Sequence, residues 1–318
     1  MISPDNSDRR SELRPDAGSD RRTVRRSPGL RADNLIMRML NSHGADVPRL
    51  HEPAPEPQPA MPKGHTSHTR HGKRSLVIAG EGTPTVVFEA GLGNGKEVWK
   101  SVFGEVAAVT RAVAYDRAGY GDSERANAMR DPLQIVRELR SLLNEEGIAP
   151  PYVLVGHSLG GMIVKLYARA YPGEVAGVVL VDARHTDFAR RCKQIGVPRI
   201  LYEPPAALFL LARAAMRGEL KSSAYSAYQA RKVGPFPPVP LVVLTQNDAV
   251  TRWPKGVGRM WAASQRNMTR MSKFSHLEVC DDSGHNVHKD RPDAVVKAVL
   301  NVVKAARFIQ EKSRRRLF

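Results

Sequence analysis

The 318-residue chain has two cysteines, Cys192 and Cys280. They are far apart, and neither belongs to a C-x-x-C motif or has a histidine beside it. A disulfide-framed scaffold and a cysteine-based metal site are therefore excluded. Two unpaired thiols fit a reducing, cytoplasmic compartment. No run of about 18 apolar residues occurs, so no membrane-spanning helix is expected. The N-terminal residues lack the apolar stretch of a secretory signal, so no leader is expected either. Acidic residues are also scarce: 32 Asp and Glu stand against 49 Lys and Arg, a net charge of +17. Such an excess attracts anionic surfaces and acidic substrates over long range but says nothing about fold. No helix-turn-helix, zinc-finger or RRM signature accompanies it, so no specific nucleic-acid partner is expected; a weak association with anionic surfaces is the most it supports.

Residues 1–73 are polar and rich in turn formers, Pro-rich around "HEPAPEPQPAMP" and then His-rich. Their few apolar side chains do not offset the entropy cost of ordering, so this extension is expected to be disordered. Within it, "ADNLIMRMLNSHG" (32–44) has an Asp or Asn for a cap and a glycine stop, the pattern of a short amphipathic helix. His65, His68 and His71 lack carboxylate or thiol partners, and no metal is expected there. From residue 75 short Val- and Ile-rich runs alternate with helical stretches. Strands are predicted at 75–79, 85–90, 112–116, 152–156, 178–182, 241–245 and 276–280, and helices at 97–109, 132–146, 160–171, 258–272 and 292–308. Strands that are apolar throughout are covered on both faces, which predicts an α/β fold with a doubly wound, mostly parallel sheet. The core is expected over 74–182 and 239–308. The intervening 183–238 holds no convincing strand and reads as a helical cap insertion, with 10 Lys and Arg against 3 Asp and Glu; 309–318 is a basic tail.

One turn carries chemistry. Gly156-His157-Ser158-Leu159-Gly160 joins the apolar strand 152–156 to the helix at 160–171. It is a G-x-S-x-G nucleophile elbow: a strained turn that lifts a serine hydroxyl above the sheet, with glycines where a Cβ would strike the neighbouring strand and helix. A serine hydroxyl is a weak nucleophile and needs a base. His285, in "DDSGHNVHKDRP" between the last strand and the last helix, suits that role better than His288, three residues nearer the helix. Acyl transfer also needs preorganised N–H donors for an oxyanion. The backbone of Leu159, just after the nucleophile, and of Leu92, in the glycine-rich "EAGLGNG" loop, are the candidates.

"TVVFEAGLGNGKEVW", "VAYDRAGYGDSE", "YVLVGHSLGG", "VVLVDARH", "LVVLTQND" and "DSGHNVHKDRP" together resemble the α/β-hydrolase superfamily over residues 75 to 308, in order and spacing. The resemblance implies an esterase-like enzyme with a Ser-His-Asp triad and no cofactor, acting on a small-molecule acyl substrate. It also implies that Asp116 to Ser123 form a structural turn without a catalytic role. The acid is expected at Asp248, three residues after strand 241–245, where the family usually carries it; Asp182, ending strand 178–182, is the alternative. "EAGLG" departs from the more usual His-Gly entry to the oxyanion loop, which bears on subgroup and not on activity. Leu208, Phe209, Leu210 and Leu211 are candidates for an acyl pocket. Serine at the elbow argues against epoxide hydrolases and dehalogenases, which use aspartate there. C–C bond hydrolases, perhydrolases and peptidases use the same triad, and a non-catalytic ligand-binding protein on this scaffold is the alternative from another class. The basic cap leads to an expected preference for substrates bearing a carboxylate or phosphate. Oligomeric state has no signature.

Overall fold

The computed structural model of the chain describes residues 28–41, 61–125, 130–201, 214–222, 225–247 and 253–315. Eight strands form one sheet: β1 (His65–Thr69), β2 (Gly72–Ala79), β3 (Thr85–Glu89), β4 (Ala112–Tyr115), β5 (Tyr152–His157), β6 (Val175–Val181), β7 (Leu241–Gln246) and β8 (Ser275–Cys280). Their order is β1-β2-β4-β3-β5-β6-β7-β8. β1 and β2 form an antiparallel hairpin, and β2 is antiparallel to β4; all other pairs are parallel. The mostly parallel α/β architecture is as expected.

The helices are α1 (Pro28–Leu40), α2 (Lys100–Ala107), α3 (Pro132–Glu145), α4 (Leu159–Ala170), α5 (Phe188–Gln194), α6 (Ala214–Ser222), α7 (Ser226–Lys232), α8 (Lys255–Met268), the single turn α9 (Val287–Asp290) and α10 (Pro292–Arg314). α3 begins where a cap and an N-terminal proline dictate: the Asp131 carboxylate accepts from the backbone N–H groups of Leu133 and Gln134 at 3.1 and 3.2 Å, and Pro132 follows.

The strands are apolar on both sides because each side meets a separate core. Along β5, Val153 and Val155 pack with Phe88, Trp99 and the α10 valines, whereas Tyr152 and Leu154 pack with α3 and α4. Parallel strands buried this way carry little side-chain polarity. Glu89, closing β3, is an exception, and it is fully buried.

Two stretches of the N-terminal extension are built into the fold, which corrects the expectation of disorder across 1–73. α1 starts four residues earlier than its sequence pattern suggested and buries Ile36 and Leu40 in the core layer shared with α10. β1 is polar, but the backbone pairing of His65 to Thr69 with β2 supplies its hydrogen bonds. His65 and His68 stand at opposite parities of this strand, and His65 meets Glu146 at 2.9 Å. Between β6 and β7 the regular elements among the described residues are all helices. The acyl-pocket candidates Leu208, Phe209, Leu210 and Leu211, and also Asp248, lie outside the described residues. Among the described residues no helix is long and apolar enough to cross a membrane.

β3 lies between β4 and β5, so the chain winds outward in both directions from it. Ligands bind such sheets at the carboxyl ends of the strands beside that reversal. The loops after β3, β5, β6 and β8 converge there.

Candidate active site

Ser158 caps α4 with φ 51° and ψ −114°, a left-handed conformation that costs about 1–3 kcal/mol for a residue with a side chain. Its neighbours hold it there. Its N–H donates to Val181 O at 3.2 Å, and its carbonyl accepts from the Arg184 N–H at 2.9 Å. The flanking glycines are required by space: a Cβ on Gly156 would lie 2.7 Å from the Gly160 carbonyl, and one on Gly160 would lie 2.3 Å from Glu89 O on β3.

His285 stands over the hydroxyl, with Nε2 3.0 Å from Ser158 Oγ. Its Nδ1 lies 2.6 Å from Asp182 Oδ2. Asp182, the alternative in the sequence reading, is thus the carboxylate in contact with His285. Asp182 is completely buried, and its other oxygen is saturated: Oδ1 accepts from Trp261 Nε1 at 2.8 Å, Thr245 Oγ1 at 3.0 Å and Gln246 N at 3.3 Å. With one oxygen so engaged, the other is held toward the imidazole. An imidazole that gives its Nδ1–H to Asp182 presents the Nε2 lone pair to the serine hydroxyl.

The His285 ring is wedged between neighbours. The edge-on Trp261 ring is 5.5 Å away and the His157 ring 4.8 Å. His157 Nε2 donates to the carbonyl of His285 at 2.9 Å, fixing the loop. Burial holds the His157 pKa well below its ordinary value, with His288 and His285 adding to the effect, so it serves as a neutral brace. His288 is fully buried against Trp99 and His157, at centroid distances of 5.0 and 4.4 Å; burial pushes its pKa down to about 3. It is a packing residue. Leu159 is the first residue of α4, and Leu92 is half-buried in the loop that follows β3.

Sequence reasoning missed a buried charge network beside this loop. Arg117 Nη1 donates to Glu89 Oε1 and to Ala90 O, both at 2.6 Å, and Nη2 donates to Gly91 O at 2.9 Å. Its other edge meets Glu219 of α6 at 2.9 and 3.0 Å, where the Tyr120 hydroxyl also donates at 2.8 Å. Tyr115 OH donates to the second oxygen of Glu89. The chain continues from Glu219 through Arg130 to Glu138 and Arg74. Three arginines therefore offset three glutamates in the interior. Burial alone would lower the Arg117 pKa, but Glu219 and Glu89 hold it well above its usual value. Arg117 thus ties the carbonyls just before Leu92 to a helix of the 183–238 segment. The visible signal was Glu89 itself, a charge at the end of an apolar strand, which has to find a partner. The same Asp116–Ser123 stretch is otherwise a turn, with Asp116 bound to Lys96 Nζ at 2.8 Å.

Residues 86–298 match the model of the Alpha/beta hydrolase family. YqjL, an uncharacterized protein of Bacillus subtilis (strain 168), is 30% identical over 243 residues, covering 76% of this chain and 90% of its own length. Among solved structures, the esterase EaEST from Exiguobacterium antarcticum superposes with a TM-score of 0.56 at 18% identity, over 76% of this chain and 99% of that one. The enol-lactonase from Burkholderia xenovorans LB400 gives the same TM-score and identity over 76% and 100%.

Proposed function

Because the chain belongs to the alpha/beta hydrolase family, we propose that this α/β-fold hydrolase is a serine enzyme that cleaves an ester, thioester or related acyl substrate through a covalent acyl-enzyme. The observation that carries this reading is the hydrogen-bonded chain from Ser158 Oγ through His285 to the buried Asp182. Ser158 Oγ attacks the substrate carbonyl as its proton passes to His285 Nε2. Asp182 stabilises the resulting imidazolium and keeps the ring in register. The carbonyl oxygen, now negative, takes hydrogen bonds from the backbone N–H groups of Leu159 and Leu92, helped by the positive end of α4. His285 gives its proton to the departing alcohol or thiol, leaving the acyl group on Ser158. A water then loses a proton to His285 and attacks the acyl carbon; the bond to Ser158 Oγ breaks, the acid departs, and His285 returns the proton to Ser158 Oγ. The arginine network keeps the Leu92 loop rigid, so the donors need no reorganisation during the step.

The relatives are consistent with this chemistry without defining the substrate: the two solved neighbours are an esterase and an enol-lactonase. The direct test is turnover of p-nitrophenyl acetate and butyrate by wild type, Ser158→Ala and His285→Ala. Turnover by wild type with losses of about 10³-fold or more in both variants supports the triad. Equal rates in all three would refute it.

A further inference from the structure

Outside the active site, α4 turns a second stripe of residues toward a cavity of about 720 Å³. Met162, Lys165, Leu166 and Arg169 line one wall, His185, Thr186, Asp187 and Arg191 a second, and α7 with Arg231 a third. The described lining does not include Ser158, His285 or Asp182. The two sites share a wall: Lys165 Nζ donates to Arg184 O at 2.9 Å, and the Arg184 N–H donates to Ser158 O.

The cavity has four cations, Lys165, Arg169, Arg191 and Arg231, and one carboxylate, Asp187, which is already paired with Arg190 at 3.1 Å. Lys165 is only 5% exposed, and its partners are a carbonyl and the sulfur of Met268 at 3.1 Å; among the described residues it meets no carboxylate. This contrasts with the Arg74, Arg117 and Arg130 cluster, where each buried cation has its glutamate. A buried ammonium without a counter-ion costs stability unless it gives up its proton or gains an anion. Alongside the cations, Met162, Leu166, Ala230 and Pro235 give the cavity an apolar wall.

We propose that this cavity is a binding site for a small multivalent organic anion, whose phosphate or carboxylate groups are held by Lys165, Arg169, Arg191 and Arg231 and whose apolar arm lies along Met162 and Leu166. The anion supplies the missing counter-charge. The charge state of the site supports this: burial, with Arg169 adding to it, brings the Lys165 pKa down to about 7, and burial brings His185 to about 4, with Lys165 and Arg191 contributing. The titratable groups that share the cavity with Lys165 are Arg169 on its own helix, His185, Asp187 and Arg191 on the wall after β6, and Arg231 on α7; the α8 residues Asn267 and Met268 do not titrate. A bound anion would raise the Lys165 pKa, so binding at pH 8 takes up a proton.

The test is isothermal titration of the full chain with pyrophosphate and with citrate at pH 8, at matched ionic strength, in two buffers of different ionisation enthalpy. Saturable one-to-one binding of either anion with proton uptake is expected; pyrophosphate saturation assigns a phosphate ligand and citrate saturation a carboxylate one. Arg191→Ala/Arg231→Ala is expected to weaken binding by about tenfold or more, as loss of charge-assisted hydrogen bonds does. A charge-matched Lys304→Ala/Lys312→Ala control on α10 should leave it unchanged. Lys165→Met should abolish the proton uptake and, without anion, be at least as stable as wild type, a result that a merely structural lysine would reverse. Absence of saturable binding for both anions, equal weakening in the α10 control, or unchanged proton uptake in Lys165→Met would overturn the proposal.

Discussion

Asp182→Asn should disable the enzyme while leaving it folded. In wild type, Oδ1 of Asp182 accepts from Trp261, Thr245 and Gln246, and Oδ2 faces His285 Nδ1 at 2.6 Å. The asparagine oxygen can keep the three donors on the Oδ1 side. Its amide nitrogen then occupies the Oδ2 side, and it can only donate. His285 must answer by carrying its proton on Nε2 and accepting at Nδ1. The nitrogen 3.0 Å from Ser158 Oγ then has a hydrogen where it needs a lone pair. Loss of the correct tautomer costs about 10³- to 10⁴-fold in kcat, or roughly 4–5 kcal/mol of transition-state stabilisation. Because three of four hydrogen bonds survive, the thermal midpoint should fall by only a few degrees, as for a loss of about 1 kcal/mol. The assay is kcat/KM for p-nitrophenyl butyrate across pH 6 to 9, alongside circular-dichroism melting. Asp248→Asn, made in parallel, should retain most activity. If Asp182→Asn stays within tenfold of wild type while Asp248→Asn loses three orders of magnitude, the assignment of the acid is wrong.

Arg117→Met leaves Glu89 buried without its cation, leaves Glu219 with Arg130 as its cation, and frees the Ala90 and Gly91 carbonyls; it should cost about 3–5 kcal/mol in chemical denaturation and lower kcat more than it raises KM. Arg117→Lys should recover stability only in part, because it lacks the fork that serves both glutamates. Gly160→Ala places a methyl 2.3 Å from Glu89 O and 2.6 Å from Ala90 O; the helix must shift, so activity should collapse together with a loss of about 1–3 kcal/mol or more in unfolding free energy. Lys165, with its pKa near 7 in the fold and near 10.5 in the unfolded chain, binds fewer protons when folded between those values. Stability should therefore rise with pH from about 7 toward 10 in wild type, and Lys165→Met should flatten that rise; parallel slopes in urea unfolding at pH 7 and pH 9.5 would contradict it.

The parallel strands were legible because burial on both faces leaves unbroken Val- and Ile-rich runs such as "VVLVD" and "LVVLT". The elbow was legible because its five residues are contiguous and join an apolar strand to a helix, although the contact that requires Gly160 is with Glu89 on β3. β1 was not: "HTSHT" has no apolar pattern, and its strand character comes from backbone pairing along one edge. The choice between Asp182 and Asp248 was equally out of reach. In sequence, each follows an apolar Val- and Leu-rich run, and it is Trp261 and Thr245, 79 and 63 residues away, that aim the Asp182 side chain. The Arg117 network depends on Glu219, 102 residues further on, and local sequence carries no trace of that contact.

The most direct measurement is reaction of the full-length protein with a fluorophosphonate, followed by peptide mass spectrometry. A single adduct on Ser158 is expected, absent from Ser158→Ala and strongly slowed in His285→Ala, because the hydroxyl is nucleophilic only through the imidazole at its side. A wild-type protein that takes no label, or a Ser158→Ala protein that labels as fast as wild type, would contradict the serine-nucleophile mechanism.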